Sequence, residues 1–124
     1  MRLLLDTHVL LWWLVGRALA PGAADAIGST RSKVFVSPVS VWEAEIKAQR
    51  GKLKVDADLV QRIGQDGFDE LPIRFEHGQV AGRLPAHHRD PFDRMLIAQA
   101  QLEGLRLVTR DPVFARYEVP LLAA

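Results

Sequence analysis

The sequence predicts an α/β fold, a three-layer α/β/α sandwich around a parallel sheet of four or five strands. Three observations predict it. The short apolar run Leu3-Leu4-Leu5 is continuous rather than alternating, as a strand covered on both faces is, and Val34-Phe35-Val36 gives a second strand. Helical segments with their own start and stop residues separate the strands, and such alternation builds parallel βαβ units with right-handed crossovers. Finally, Asp6, Glu43, Asp93 and Asp111 each fall at or just beyond a point where a strand or helix is expected to end. In open α/β sheets, ligands collect outside the carboxyl ends of the strands, so acids in these places converge on one crevice.

Each element has a local reason. Leu3 to Leu5 is the first strand, and Thr7 can cap the helix His8 to Val15, which stops at Gly16. Pro21 suits the first turn of a second helix, ended by Gly28 and Ser29. Val34 to Val36 is the next strand, broken by Ser37-Pro38; Ser40 is then a good N-cap for a helix from Val41 to Gln49, with Gly51 as its stop. Asp56 or Asp58 starts a shorter helix reaching about Gln65, and Phe68 to Ile73 gives an extended piece before a helix near Glu76 to Arg83. Leu84 to Pro91 reads as loop. From Pro91 a strong helix runs to Glu103, with Phe92, Leu96, Ile97 and Ala100 facing inward, and Gly104 ends it. Leu105 to Thr109 is a strand, Pro112 to Tyr117 a short helix, and Val119 to Leu122 a last edge strand.

A chain of 124 residues with 48% hydrophobic content has room for one core, so residues 1–124 are expected to form one domain. Sixteen Lys and Arg against fifteen Asp and Glu leave a net charge of +1, with no overall basic excess to advertise nucleic acid. If four acids are gathered in one pocket, however, the remaining surface is more basic, with Arg31, Lys33, Lys47, Arg50, Lys52 and Lys54 available to phosphate. The absence of cysteine removes disulfides and thiolate metal sites. The nearly uncharged run from Val9 to Val15 is far short of the roughly 20 residues a membrane span needs. With no signal-peptide pattern at the N-terminus, a soluble cytoplasmic protein is the expectation, with no membrane partner.

Convergent carboxylates repel one another and raise each other's pKa unless a cation neutralises them, and oxygen-only ligands favour Mg²⁺ or Mn²⁺. Singly, each acid has an ordinary reading. Glu43, in the first turn of a helix begun at Val41, would stabilise a helix end, as would Asp93; Asp6 and Asp111 would cap. Asp90 reads as the cap of the helix begun by Pro91, or as a support to the site. Thr7 and Thr109 read as capping and strand-end residues, or as groups that orient a carboxylate. His87 and His88, adjacent in a Pro-flanked loop, read as structural or surface residues. The chain has no nucleophile elbow, no Gly-rich phosphate loop and no Cys/His zinc spacing. The helix His8 to Val15 is apolar around nearly its whole circumference, with Trp12 and Trp13 on different sides. It is either packed between the sheet and its neighbours or a protein interface.

Taken in order, Leu4-Leu5-Asp6-Thr7-His8, Ser37-Pro38-Val39-Ser40-Val41-Trp42-Glu43 with Lys47 and Gly51-Lys52-Leu53, His87-His88-Arg89-Asp90-Pro91-Phe92-Asp93-Arg94 with Ala98-Gln99-Ala100, and Leu107-Val108-Thr109-Arg110-Asp111 resemble the PIN-domain ribonucleases. Within them the likeness is nearest to the VapC-type toxins of type II toxin–antitoxin systems, and it covers nearly the whole chain. The resemblance implies a Mg²⁺-dependent (Mn²⁺ also suits) endoribonuclease with Asp6, Glu43, Asp93 and Asp111 as catalytic acids. Asp6 and Asp93 would contact the metal most directly. It implies an RNA substrate, a cognate antitoxin lying in an apolar groove near the acids, and a homodimer. Lys47, Arg89 and Arg94 are candidates to hold the substrate phosphate. Two other phosphoryl-transfer families are excluded, because position 8 is His8 rather than a second Asp and the chain lacks an early aspartate pair with a late lysine. The rival from another class is a catalytically inert PIN-like binding or assembly module, which would have no reason to keep four mutually repelling carboxylates.

Overall fold

The computed structural model describes residues 1–52 and 58–124. Along the chain these form β1 (Arg2–Leu5), α1 (Thr7–Leu14), α2 (Pro21–Gly28), β2 (Lys33–Val36), α3 (Pro38–Gln49), α4 (Leu59–Gln65), β3 (Asp69–Glu70), α5 (Phe75–Arg83), α6 (Pro91–Glu103), β4 (Arg106–Thr109), a 3₁₀ helix (Pro112–Arg116) and β5 (Leu121–Ala123). The sheet has five strands in the order β3-β2-β1-β4-β5, and every pairing is parallel. This is the expected α/β/α architecture.

Because successive side chains of a strand point to opposite faces, β1 feeds two cores. Leu3 and Leu5 join Val9, Leu10 and Leu14 of α1, Ile27 of α2 and Ile63 of α4 on one side. Leu4 joins Leu96, Ile97 and Ala100 of α6 and Phe114 of the 3₁₀ helix on the other. That two-sided burial is why the strands read as unbroken apolar runs. α3 bridges the two sides, with Ala44 in the first core and Val39 in the second. No helix among the described residues is long and apolar enough to cross a membrane.

Several boundaries differ from the sequence reading. α3 starts at Pro38, with the Ser37 hydroxyl accepting from Val39 N–H, so Ser40 lies inside the helix and Glu43 is beyond its first turn. Pro38 is not a break between strand and helix but the N1 residue, where its missing N–H costs nothing. α1 is capped by Asp6 rather than Thr7. α4 begins after Asp58, while Leu53, Lys54 and Asp56, which carried part of the basic-surface and helix-start expectations, lie outside the described residues.

Trp12 and Trp13 are only half-buried, yet they do not form an open apolar patch. The Trp13 indole N–H donates to Asp66 at 3.1 Å and its ring meets Phe68. Exposed large hydrophobics include Val15 at the end of α1, at 72%, and, away from this helix, Trp42 at 62%, Val60 at 69% and Phe75 at 97% exposure.

Candidate metal centre

A parallel sheet places all its carboxyl ends on one side, and the acids follow from that. β1 runs directly into Asp6, and β4 ends at Thr109, two residues before Asp111. Register brings the two ends together: Leu5 sits opposite Val108, and Asp6 N–H donates to the Val108 carbonyl at 3.1 Å. β2 leads into α3, which carries Glu43 inward, buried with 5% exposure. Asp93 occupies the first turn of α6, on the opposite face of the sheet.

Capping and pocket formation are not alternatives here, because a carboxylate has two oxygens. Asp6 Oδ1 accepts from Val9 N–H at 2.8 Å and caps α1, while Oδ2 accepts a short hydrogen bond from the Thr109 hydroxyl. Asp111 Oδ1 accepts from Val113 N–H at 2.9 Å and caps the 3₁₀ helix, while Oδ2 lies 3.6 Å from His88 Nε2. Asp90 does the capping for α6, accepting from Phe92 and Asp93 N–H at 2.8 and 3.2 Å, and so leaves the Asp93 carboxylate to the pocket. Asp93 Oδ2 lies 2.8 Å from His88 Nε2.

The electrostatics reflect acids that share one space. Burial pushes the Asp93 carboxyl up to about 8, and the charges of Asp90, Glu43, Asp6 and Asp111 push in the same direction. Burial also raises Asp6, reinforced by Glu43 and opposed by the Thr109 hydroxyl, the Val9 N–H and the charge of His8. Lys47 pairs with Glu43 Oε2 at 3.0 Å, one helical turn away. Glu43 Oε1 is left buried with no hydrogen-bond partner. A buried, unengaged carboxylate oxygen among raised aspartates is a donor set that fits a hard divalent cation. The fit extends to a nitrogen, since ligand atoms of His88, Asp93 and Asp111 all lie within 4.8 Å of one another.

The structure narrows several sequence expectations. Of the structural and surface roles read for His88 it takes the first: its ring is largely buried against the acids and meets Phe114 edge-on. Arg94 is not available to phosphate. Its guanidinium donates to the carbonyls of Ala81, Leu84, Pro85 and His88, pinning the loop that carries His88. Tyr117 completes that anchor, accepting from His88 N–H and donating to Pro85 O, both at 2.7 Å. Lys47 is committed to Glu43 and contacts His8 Nε2 at 3.3 Å. The threonines divide. Thr109 orients Asp6, whereas Thr7 donates to Ser40 Oγ at 3.0 Å and ties α1 to α3. No local pattern announces His88; only Arg94, read as an anchor for the loop before it, would have hinted that the loop is held inward.

With this geometry in hand, comparison with known proteins is specific. Residues 3–120 match the family model described as PIN domain. No curated protein sequence matches the chain. Among solved structures, the chain is similar to VapBC2 from Rickettsia felis bound to a DNA fragment from its promoter, with a TM-score of 0.73 at 13% identity over 99% of this chain and 98% of that one. It is similar to DNA-bound VapBC from Salmonella typhimurium, with a TM-score of 0.73 at 16% identity over 99% and 98%. A toxin–antitoxin complex from Klebsiella pneumoniae aligns with a TM-score of 0.69 at 20% identity over 96% and 94%. At these identities the likeness is one of fold.

Proposed function

Because the chain belongs to the PIN domain family, we propose that it is a metal-dependent nuclease that cleaves RNA phosphodiesters, the toxin of a type II toxin–antitoxin pair held inactive by a cognate antitoxin. Residues 1–124 constitute one nuclease domain in this reading. The observation that carries it is the gathering of the acids, with Glu43 Oε1 buried and unpartnered, Asp93 and Asp111 meeting at His88, and the Asp93 carboxyl pushed up by burial and by its four acidic neighbours. Folding gains nothing from such repulsion, and a cation relieves it.

Asp6 and Asp93 would hold Mg²⁺, or Mn²⁺, with Glu43 and Asp111 completing the carboxylate ring. A divalent ion so held supplies Lewis acidity to a phosphodiester oxygen and lowers the pKa of a water for in-line attack. The chain's own residues prepare that chemistry. Thr109 fixes the Asp6 carboxylate, Lys47 engages one oxygen of Glu43 and leaves the other unpaired, and His88 spaces Asp93 from Asp111. Preorganised groups of this kind reduce the rearrangement required at the moment of reaction.

For the antitoxin, the support is an apolar groove of about 330 Å³ between α3 and α4, lined by residues including Pro38, Val41, Val60, Ile63 and Phe68. An antitoxin segment would lay apolar side chains there and direct an Arg or Lys toward Asp6 and Asp93. Phe75, almost fully exposed at the start of α5 beside exposed Ile73, is a candidate contact for a homodimer.

The test is RNA cleavage by purified, antitoxin-free chain with Mg²⁺, with Mn²⁺ and with EDTA. Asp6→Asn and Asp93→Asn should abolish it, and expression of the parent chain alone should arrest bacterial growth. Cleavage that survives EDTA, or survives in both variants with contamination excluded, overturns the reading.

A further inference from the structure

The acids adjoin a second feature that capping and metal binding do not explain. A cavity of about 340 Å³ is lined by Asp6, His8, Trp12, Arg110 and Asp111. Two guanidiniums lie over the Trp12 ring, Arg110 at 4.4 Å and Arg17 at 4.9 Å from its centre, and His8 approaches the same ring at 5.9 Å. Among the described residues neither arginine pairs with an Asp or Glu side chain, although Asp111 is the next residue to Arg110. Arg110 is held in place through Nε and Nη2 by the backbone oxygen of Ala124, at 3.2 and 2.8 Å, and by the Ala18 carbonyl, at 3.3 Å. Its Nη1 has no acceptor among the described residues. Arg17 is exposed, and its side chain has no hydrogen-bond acceptor among them either.

Stacked on the indole, Arg17 keeps all its donors and Arg110 keeps Nη1 for something that arrives. We propose that Arg17, Arg110 and Trp12 form a nucleotide subsite beside the metal centre, taking the phosphate next to the scissile one in a single strand of RNA. Three physical points support it. Guanidiniums present forked donors suited to phosphate oxygens, and stacking on an aromatic face restrains them without neutralising them. Aromatic, imidazole and guanidinium planes are the surfaces on which unpaired bases stack, and Trp12, His8 and Arg110 supply one of each around a single cavity. Asp6 and Asp111 line the same cavity, so a strand entering it runs directly onto the acids. The subsite also supplies the phosphate-binding cations that Lys47 and Arg94, both engaged elsewhere, do not.

This inference rests on the nuclease reading, and the experiment separates the two. Binding of a fluorescein-labelled single-stranded oligoribonucleotide is measured across a salt series in EDTA, where no cleavage occurs, for the parent, Arg17→Gln and Trp12→Phe. Cleavage by the parent with Mn²⁺ is measured in parallel. Arg17→Gln should weaken binding by roughly three- to tenfold and lower the salt slope by about one. Trp12→Phe, which keeps a ring but a smaller one, should weaken it less, and Mn²⁺ affinity by calorimetry should be unchanged in both. Arg17 is exposed and its side chain carries no structural hydrogen bond, so its variant should fold; Arg110→Gln is a supporting variant only. If the parent cleaves RNA while Arg17→Gln binds with the same affinity and salt slope, the subsite is wrong and the metal-centre reading stands. The subsite is equally wrong if Arg17→Gln loses affinity for the antitoxin but not for the oligonucleotide. If the parent shows no metal-dependent cleavage, the nuclease reading fails and takes the subsite with it.

Discussion

The Thr109 hydroxyl at the end of β4 donates to Asp6 Oδ2 at the end of β1, joining residues 103 positions apart in the chain. The bond lowers the Asp6 pKa against the larger upward push of burial. Thr109→Val keeps the shape and removes the donor. Asp6 should then rise further, the buried oxygen should lose about 1 to 3 kcal/mol of stabilisation, and metal affinity should fall roughly tenfold or more. Urea unfolding and Mn²⁺ calorimetry measure both effects, and Thr109→Ser should restore most of each.

Asp93→Asn should stabilise the metal-free protein near neutral pH. An unfolded aspartate ionises near 3.8, whereas folded Asp93 holds its proton up to about 8. Between those values the folded state binds a proton that the unfolded state has lost, so the parent's stability should fall as pH rises through that window. Asn cannot titrate, so its variant should lack this slope and exceed the parent by an amount on the order of a few kcal/mol at pH 8. Equal denaturation midpoints at pH 5 and pH 8 in the parent, without metal, would contradict the raised pKa.

Metal binding should carry the same signature. Below about pH 8 a cation must displace the Asp93 proton, so affinity for Mn²⁺ should strengthen by up to about tenfold per pH unit as pH rises toward 8 and then level off. Calorimetry in buffers of different ionisation enthalpy should record release of about one proton near neutrality. A pH-independent affinity between 6 and 8 would show that Asp93 is not in contact with the ion.

Arg94→Lys should unfold more readily despite preserving the charge. One ammonium cannot reach the four carbonyls that the guanidinium engages, so the end of α5 and the loop from Leu84 to His88 lose their anchor. A loss of about 1 to 3 kcal/mol is expected from two or more part-buried carbonyls left without this donor. His88 should also lose its fixed position, visible as a shifted imidazole resonance by NMR, whereas an unshifted resonance would mean that Tyr117 alone holds the loop.

What the sequence determined by itself follows from short-range rules. Continuous apolar runs of three or four residues bounded by polar ones read as strands buried on both faces, Pro21, Pro91 and Gly104 mark helix ends by their restricted or left-handed backbones, and acids after β1 and β4 fall on one side because parallel strands share a direction. Those rules sufficed for the architecture and for bringing Asp6, Glu43, Asp93 and Asp111 near one another. They misplaced the start of α3 because Ser37 and Ser40 are both competent caps, and only the chain's path out of β2 decides between them. Tertiary structure alone decided the rest. His88 joins Asp93 because Arg94 and Tyr117 reach across from other elements, Thr7 and Thr109 separate in role because of what lies opposite each, and Trp12 meets Arg17 and Arg110. Each of those outcomes depends on side chains brought together by folding rather than by spacing, and local sequence pattern carries no trace of them.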